Sequence, residues 1–310
     1  MENFLKKIIV LLILFSLIVL SFFSLADGYT DPFYVRFTTP RQSNLILGTS
    51  RSAQGILPSI LNQKLHPTFF NFSFTVVHSP YGQVYLNKIK DKLNKSVKNQ
   101  IFILTVDPWS ISSKSDDPND FKSFRENDLS LGKTKFINYK PNVEYLFENI
   151  SGNYLDILNF SESEHDMFLH EDGWLEVSVN MSDSIVKKRI ESKVEIYKAK
   201  HLPAYKFSTL RYNKLKETIL FLKNYGSVYL VRLPVHPNIF EIENELLPDF
   251  NLRMTDLKNY MDLYINLIPV NNNYKYTDGN HLHKSSGIKV SEHIANIIYK
   301  HQNKITKEDN

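Results

Sequence analysis

A chain of 310 residues, 42% hydrophobic and 23% charged, is long enough to bury a sizeable core in one or two domains. Its formal net charge is only +4, and its lysines fall on ordinary solvated faces such as KIKDKLNKSVK, which gives nucleic-acid binding no support. The absence of cysteine excludes a thiol nucleophile, a disulfide framework and any thiolate metal site.

The first element in chain order is apolar. Lys6 and Lys7 precede a charge-free run of nineteen residues from Ile8 to Ala26. At 1.5 Å per helical residue this covers about 28 Å, close to the hydrocarbon thickness of a bilayer. Lysines before the run, with Asp27 and Asp31 after it, predict an N-terminus on the cytoplasmic side and the rest of the chain outside. Residues 1–27 therefore read as a membrane anchor. Ser24 and Ala26 also fit a signal-peptidase site, and cleavage there would make the protein secreted. Either way residues 28–310 form an extracytoplasmic domain, periplasmic or on the cell surface.

After a connecting segment, TDPFYVRFTTPRQ, short apolar strands alternate with helices. NLILG reads as a buried strand and GILPSILNQKL as a helix. TFFNFSF is a second strand. A helix follows, with Val84, Leu86, Ile89, Leu93 and Val97 on one face, and IFILTV is a third strand. The rhythm breaks over 110–203, where polar loops, short helices in YKPNVEYLFENI and YLDILNF, and a short strand in DGWLEVSVNMS are expected. It then resumes with a helix in STLRYNKLKETILFLKNYG that Gly226 would cap, strands SVYLVRLPV and MDLYINL, helix NIFEIENELLPDF between them, and a closing helix from HKSSGIKVSEHIANIIYKHQ. The pattern predicts a three-layer α/β/α sandwich around a central, mostly parallel sheet, with 110–203 as an insertion.

In such sheets the working residues gather past the carboxyl ends of strands. Ser50, Asn71, Asp107 and Arg232 all fall at or just past such ends, and TDGNHLH places Asp278 and His281 three apart in a loop before the last helix. A serine nucleophile needs a base, and the base needs a carboxylate to fix its tautomer. On residues alone, Ser50 can equally be a turn or N-cap residue, and Asp278 an Asx-turn former beside Gly279. His281-x-His283 has metal spacing, but the sequence brings no third ligand near it, so no metal and no cofactor are expected.

ILGTSRS after the first strand, paired with DGNHL before the last helix, resembles the SGNH (GDSL) hydrolase superfamily, in particular its membrane-anchored cell-envelope branch. The resemblance covers residues 44–110 and 206–302. It implies that Ser50 is the nucleophile, with Asp278 and His281 completing a triad, and that the reaction is ester hydrolysis or acyl transfer through an acyl-serine. The implied partners are an acylated envelope polysaccharide or a small ester and, for transfer, a membrane-bound acyltransferase. Two departures stand out. Gly48-Thr49-Ser50 replaces Gly-Asp-Ser, and two of the family's oxyanion donors are missing: no glycine follows the second strand until Gly82, and Asp107 stands where the family has an asparagine. An ionised carboxylate only accepts hydrogen bonds and would oppose an oxyanion. Backbone amides near Asn71 to Ser73, or a hydroxyl such as Ser79, are therefore the expected substitutes, with Arg232 as a substrate contact. The alternative is a catalytically inactive SGNH-like scaffold that binds a glycan or an envelope protein.

Overall fold

The apolar runs become five short strands in a computed structural model, which describes residues 1–158 and 166–308. They are β1 (Asn44–Leu47), β2 (Phe69–Asn71), β3 (Gln100–Thr105), β4 (Gly226–Arg232) and β5 (Leu263–Asn266). Their order across the sheet is β2-β1-β3-β4-β5, and every pairing is parallel. Ile46 lies between Asn71 and Ile103, and Val231 pairs with Thr105 and Ile265.

Strand alternation sends side chains to two separate cores, which is why these strands read as unbroken apolar runs. Leu45, Leu47, Phe102, Leu104, Val228 and Leu230 share one core with Tyr85 and Ile89 of one helix and Leu215 and Ile219 of another. Ile46, Ile103, Tyr229 and Val231 face the other way, onto Leu61, Val290 and Ile294. The main helices are, in chain order after the N-terminal α1 (Glu2–Ser24), α2 (Ser50–Gly55), α3 (Pro58–Leu65), α4 (Gln83–Lys92), α5 (Asp183–Ile196), α6 (Thr209–Lys223), α7 (Pro237–Leu246) and α8 (Lys284–Glu308). The result is a three-layer α/β/α sandwich. α1 is long and apolar enough to cross a membrane, and most of its side chains are exposed.

Three elements differ from expectation for local reasons. The helix expected over GILPSILNQKL begins earlier and is split. Ile56 is extended, Pro58 opens α3, and the Asn71 amide donates to the carbonyls of Ser52 and Ile56 at 2.9 and 3.0 Å. α4 stops at Lys92 because Leu93 turns extended and pairs with Gln42, so Val97 is left exposed. Gly226 is not the cap of α6. It opens β4, where an added Cβ would stand 1.9 Å from the Gln100 carbonyl oxygen, so close strand approach explains the glycine.

Among the described residues, 110–203 adds no strand to the central sheet. Its two ends are pinned together where Ser112 and Ser113 pair antiparallel with Phe207 and Lys206. Inside it lie a hairpin of Met167–Leu169 with Leu175–Val177, and α5, which widens into a π-helical turn at Tyr197–His201. The start of YLDILNF is a 3-10 turn, Tyr154–Leu158; its last two residues lie outside the described residues. The strand order changes direction between β1 and β3, and the crevice beyond their carboxyl ends is the expected ligand site of such a sheet.

Candidate active site

β1 leads straight into that crevice. Gly48 holds a φ of +149°, and a Cβ there would meet Thr105 Oγ1 at 1.9 Å, so only glycine permits β1 to turn this close to β3. The turn is locked from both sides. The Gly48 amide donates to the Tyr85 hydroxyl at 2.9 Å, and its carbonyl accepts from Ser79 Oγ at 2.7 Å. Thr49 is extended, and Ser50 begins α2 at the mouth of the crevice.

The other half of the site is the loop before α8. Tyr276 bridges back to Leu282, Thr277 donates to the His281 carbonyl at 2.9 Å, and Gly279 takes a φ of +85° at the tip. Asp278 organises the tip, since its Oδ1 accepts from the amides of Asn280 at 3.0 Å and His281 at 2.9 Å. The same carboxylate lies 3.1–3.2 Å from His281 Nδ1, and Lys193 Nζ from α5 reaches its Oδ2 at 2.9 Å. Burial acts to raise the Asp278 pKa, but His281 and Lys193 outweigh it and hold the carboxyl well below the usual range. An ionised Asp278 places the imidazole proton on Nδ1. That leaves the Nε2 lone pair facing Ser50, whose Oγ is 2.9 Å away. Ser50, His281 and Asp278, up to 231 residues apart in the chain, are thus joined in one line.

Behind this line lies a buried ionic network. Arg51 donates from Nε and Nη2 to Asn280 Oδ1, at 3.1 and 2.6 Å. Its Nη1 ion-pairs with Glu243 at 2.5 Å, at angles that are not those of a hydrogen bond, and with Asp107 at 3.5 Å. Burial acts to discharge Arg51, but Glu243 and Asp107 outweigh it and raise its pKa; burial also raises the Asp107 carboxyl, against the pull of Arg51. With Oδ1 occupied by two guanidinium N–H groups, the Asn280 amide must turn its Nδ2 outward, where it stands 3.2 Å from His281 Nε2. The Ser50 amide, at the N-terminus of α2, donates to no protein acceptor among the described residues. One free N–H thus belongs to the serine itself, and a second, on Asn280, stands against the His281 nitrogen that faces the serine.

No family model and no curated protein matches this chain. What the site can do is read from its geometry.

The three other expected site residues stand elsewhere. Asn71 is fully buried, with its amide spent on α2 and its Oδ1 accepting the Ser73 N–H at 3.2 Å. Ser73 is equally buried and points its hydroxyl at the Ile46 carbonyl, 3.3 Å away. Arg232 is sealed behind the crevice, paired with Glu243 at 3.1 Å and stacked 4.4 Å over the Phe250 ring. None of the three lines the cleft around Ser50. His283 turns away to Ser285 Oγ at 2.8 Å.

The cleft is small, with a volume of about 100 Å³, and open at its mouth. Trp109, Val76 and an aromatic cluster of Tyr197, His201 and Tyr205 wall it. Lys193, Tyr197 and His201 come from the insertion at four-residue spacing, one stripe of α5 and its π turn. That spacing in KVEIYKAKH is the signal that sequence reading passed over; for Asn280 the only signal is its place inside DGNH.

Proposed function

We propose that this chain is a membrane-anchored, extracytoplasmic, SGNH-like serine esterase or O-acyltransferase that acts on an acylated cell-envelope glycan. The observation that carries the reading is the unbroken line Ser50 Oγ–His281 Nε2, His281 Nδ1–Asp278. Ser50 Oγ attacks the acyl carbonyl while His281 Nε2 takes its proton, and Asp278 offsets the charge of the imidazolium. The tetrahedral oxygen receives the Ser50 N–H and the Asn280 Nδ2–H in place of the family's glycine and asparagine. When this intermediate collapses, His281 returns the proton to the departing alcohol, leaving acyl-Ser50. Water, or a glycan hydroxyl in the transfer reaction, then attacks the acyl group with His281 again as base. The orientation across the membrane rests on Lys6 and Lys7 in the first turns of α1, ahead of its apolar run. The glycan and the membrane-bound acyltransferase partner rest on the family resemblance.

A glycan-binding scaffold without chemistry is the second reading, favoured by the Asp107 carboxyl at the cleft, where an amide donor would serve an oxyanion better. A fluorophosphonate probe separates the two. The enzyme reading expects the full-length protein to be labelled and the Ser50→Ala variant not. Equal labelling of both, or none of the folded wild type, rejects it.

A further inference from the structure

The end of α1 is part of the folded domain. Phe23 and Ala26 are 3% and 1% exposed, Val19 and Phe22 pack against the same core, and the Phe23 ring meets Phe147 at 4.9 Å and Tyr154 at 6.3 Å. The apolar run from Ile8 to Ala26 is nineteen residues. At about 28 Å it only just matches a hydrocarbon layer of about 30 Å, and its last two turns or so, from Val19 on, are already in contact with the domain. There is no spacer between bilayer and domain, so the surface around Phe23 must stand at the membrane boundary.

That surface is apolar and aromatic. Phe147 is 59% exposed and Leu155 64%, with Tyr154 beside them. The adjoining segment GKTKFINYK is fixed to the same short helix, Val143–Glu148, because the Glu144 carboxylate accepts the amides of Lys135 and Phe136 at 2.8 and 2.9 Å. In it Thr134 and Ile137, like Leu131 just before it, turn inward, whereas Phe136, Tyr139 and three lysines (133, 135 and 140) are exposed. Glu144 is engaged with backbone, and Lys140 makes only a long ion pair to Glu171 at 3.8 Å; Glu148 is the exposed acid on the helix. Aromatic rings interleaved with lysines are the composition that settles at lipid headgroups, the rings at the acyl boundary and the ammonium groups among the phosphates.

We infer that this face, carrying Phe136, Tyr139, Phe147, Tyr154 and Leu155, is seated in the headgroup layer of the bilayer that α1 crosses. The domain is then held at two places, by α1 and by the insertion, and the cleft keeps a fixed attitude to the membrane. The inference rests on α1 crossing a bilayer and is independent of the chemistry at Ser50.

The cysteine-free chain suits a site-by-site test. Full-length variants Tyr139→Cys, Phe147→Cys and Leu155→Cys are labelled with an environment-sensitive nitrobenzoxadiazole probe. They are reconstituted at several protein-to-lipid ratios in vesicles of phosphatidylcholine and phosphatidylglycerol. Leu12→Cys in mid-α1 reports insertion, and Tyr299→Cys on α8, which covers the opposite face of the sheet, reports water. Lipids with a nitroxide near the headgroup end of the acyl chain should quench the three face probes several-fold more than the Tyr299 probe, at every ratio. If the Leu12 probe is quenched by deep nitroxides while the face probes behave like the Tyr299 probe, the inference is overturned. It is also overturned if shielding of the face appears only at high protein-to-lipid ratio, which marks a contact between copies, or only in native membranes, which marks a protein partner.

Discussion

Asn280→Asp is the sharpest perturbation of the candidate site, because it alters one function of the residue and spares the other. The aspartate keeps the side-chain shape and an oxygen for the two Arg51 donors now at 2.6 and 3.1 Å, so the buried network should persist and the protein should fold. The group 3.2 Å from His281 Nε2 changes from an N–H donor to a second oxygen, which repels the tetrahedral oxygen instead of stabilising it. Removal of one oxyanion donor costs about a hundred- to a thousand-fold in kcat, or roughly 2.7–4 kcal/mol. The donor acts on charge that develops only in the transition state, so KM should hardly move. The assay is hydrolysis of p-nitrophenyl acetate by the detergent-solubilised full-length chain, with kcat and KM measured separately and the melting temperature as a check on folding. A folded variant whose kcat stays within about three-fold of wild type, under 1 kcal/mol, refutes the role of Asn280. Proportional loss through KM alone would assign it to substrate binding instead.

Three further expectations concern the frame around the site. Glu243 is fully buried between Arg51 and Arg232, at 2.5 and 3.1 Å, so Glu243→Gln leaves two buried guanidinium groups short of charge. It should lower stability by about 3–5 kcal/mol in denaturant unfolding and reduce kcat through the slackened Arg51; unchanged stability would contradict the network. Gly48→Ala forces a Cβ to within 1.9 Å of Thr105 Oγ1 at a φ of +149°, and should cost more than about 2 kcal/mol together with activity. A variant with wild-type melting would show that the turn is not confined. His78, packed on the Phe33 ring, is pushed from 6.5 down to about 4 by burial and then by Arg125. Between these values the unfolded chain takes up a proton that the folded ring refuses. The stability it contributes is complete above pH 6.5 and is lost as pH falls toward 4, by roughly 1–2 kcal/mol for a partly exposed ring. His78→Asn should flatten that acid slope, and an unchanged slope assigns it to other groups.

The strands were readable because a parallel sheet covered on both faces demands unbroken apolar runs, and Leu45–Leu47 and Ile101–Leu104 have them. Helix ends were harder, since they depend on distant partners. Leu93 leaves α4 for a pairing with Gln42, and Ile56 breaks the expected helix under the pull of Asn71. Ser50, Asp278 and His281 could be proposed because each sits in a short local motif. Asn71 and Arg232 have the same position at strand ends, but their partners, Ser52 and Ile56 for one and Glu243 for the other, are set by packing that no spacing reveals. The same holds for Asn280, whose direction is fixed by an arginine 229 residues away, and for the cleft wall supplied by α5 from within the insertion.

The acyl-enzyme itself tests the central claim most directly. The full-length protein is mixed with p-nitrophenyl acetate, quenched in acid during turnover and digested, and the peptides are analysed by mass spectrometry. The account predicts the mass of one acetyl group on the peptide carrying Ser50, fragmentation that localises it to that residue, and its loss in both Ser50→Ala and His281→Ala. Ester turnover that persists in Ser50→Ala, or acetyl found on another residue while Ser50 stays free, would contradict it.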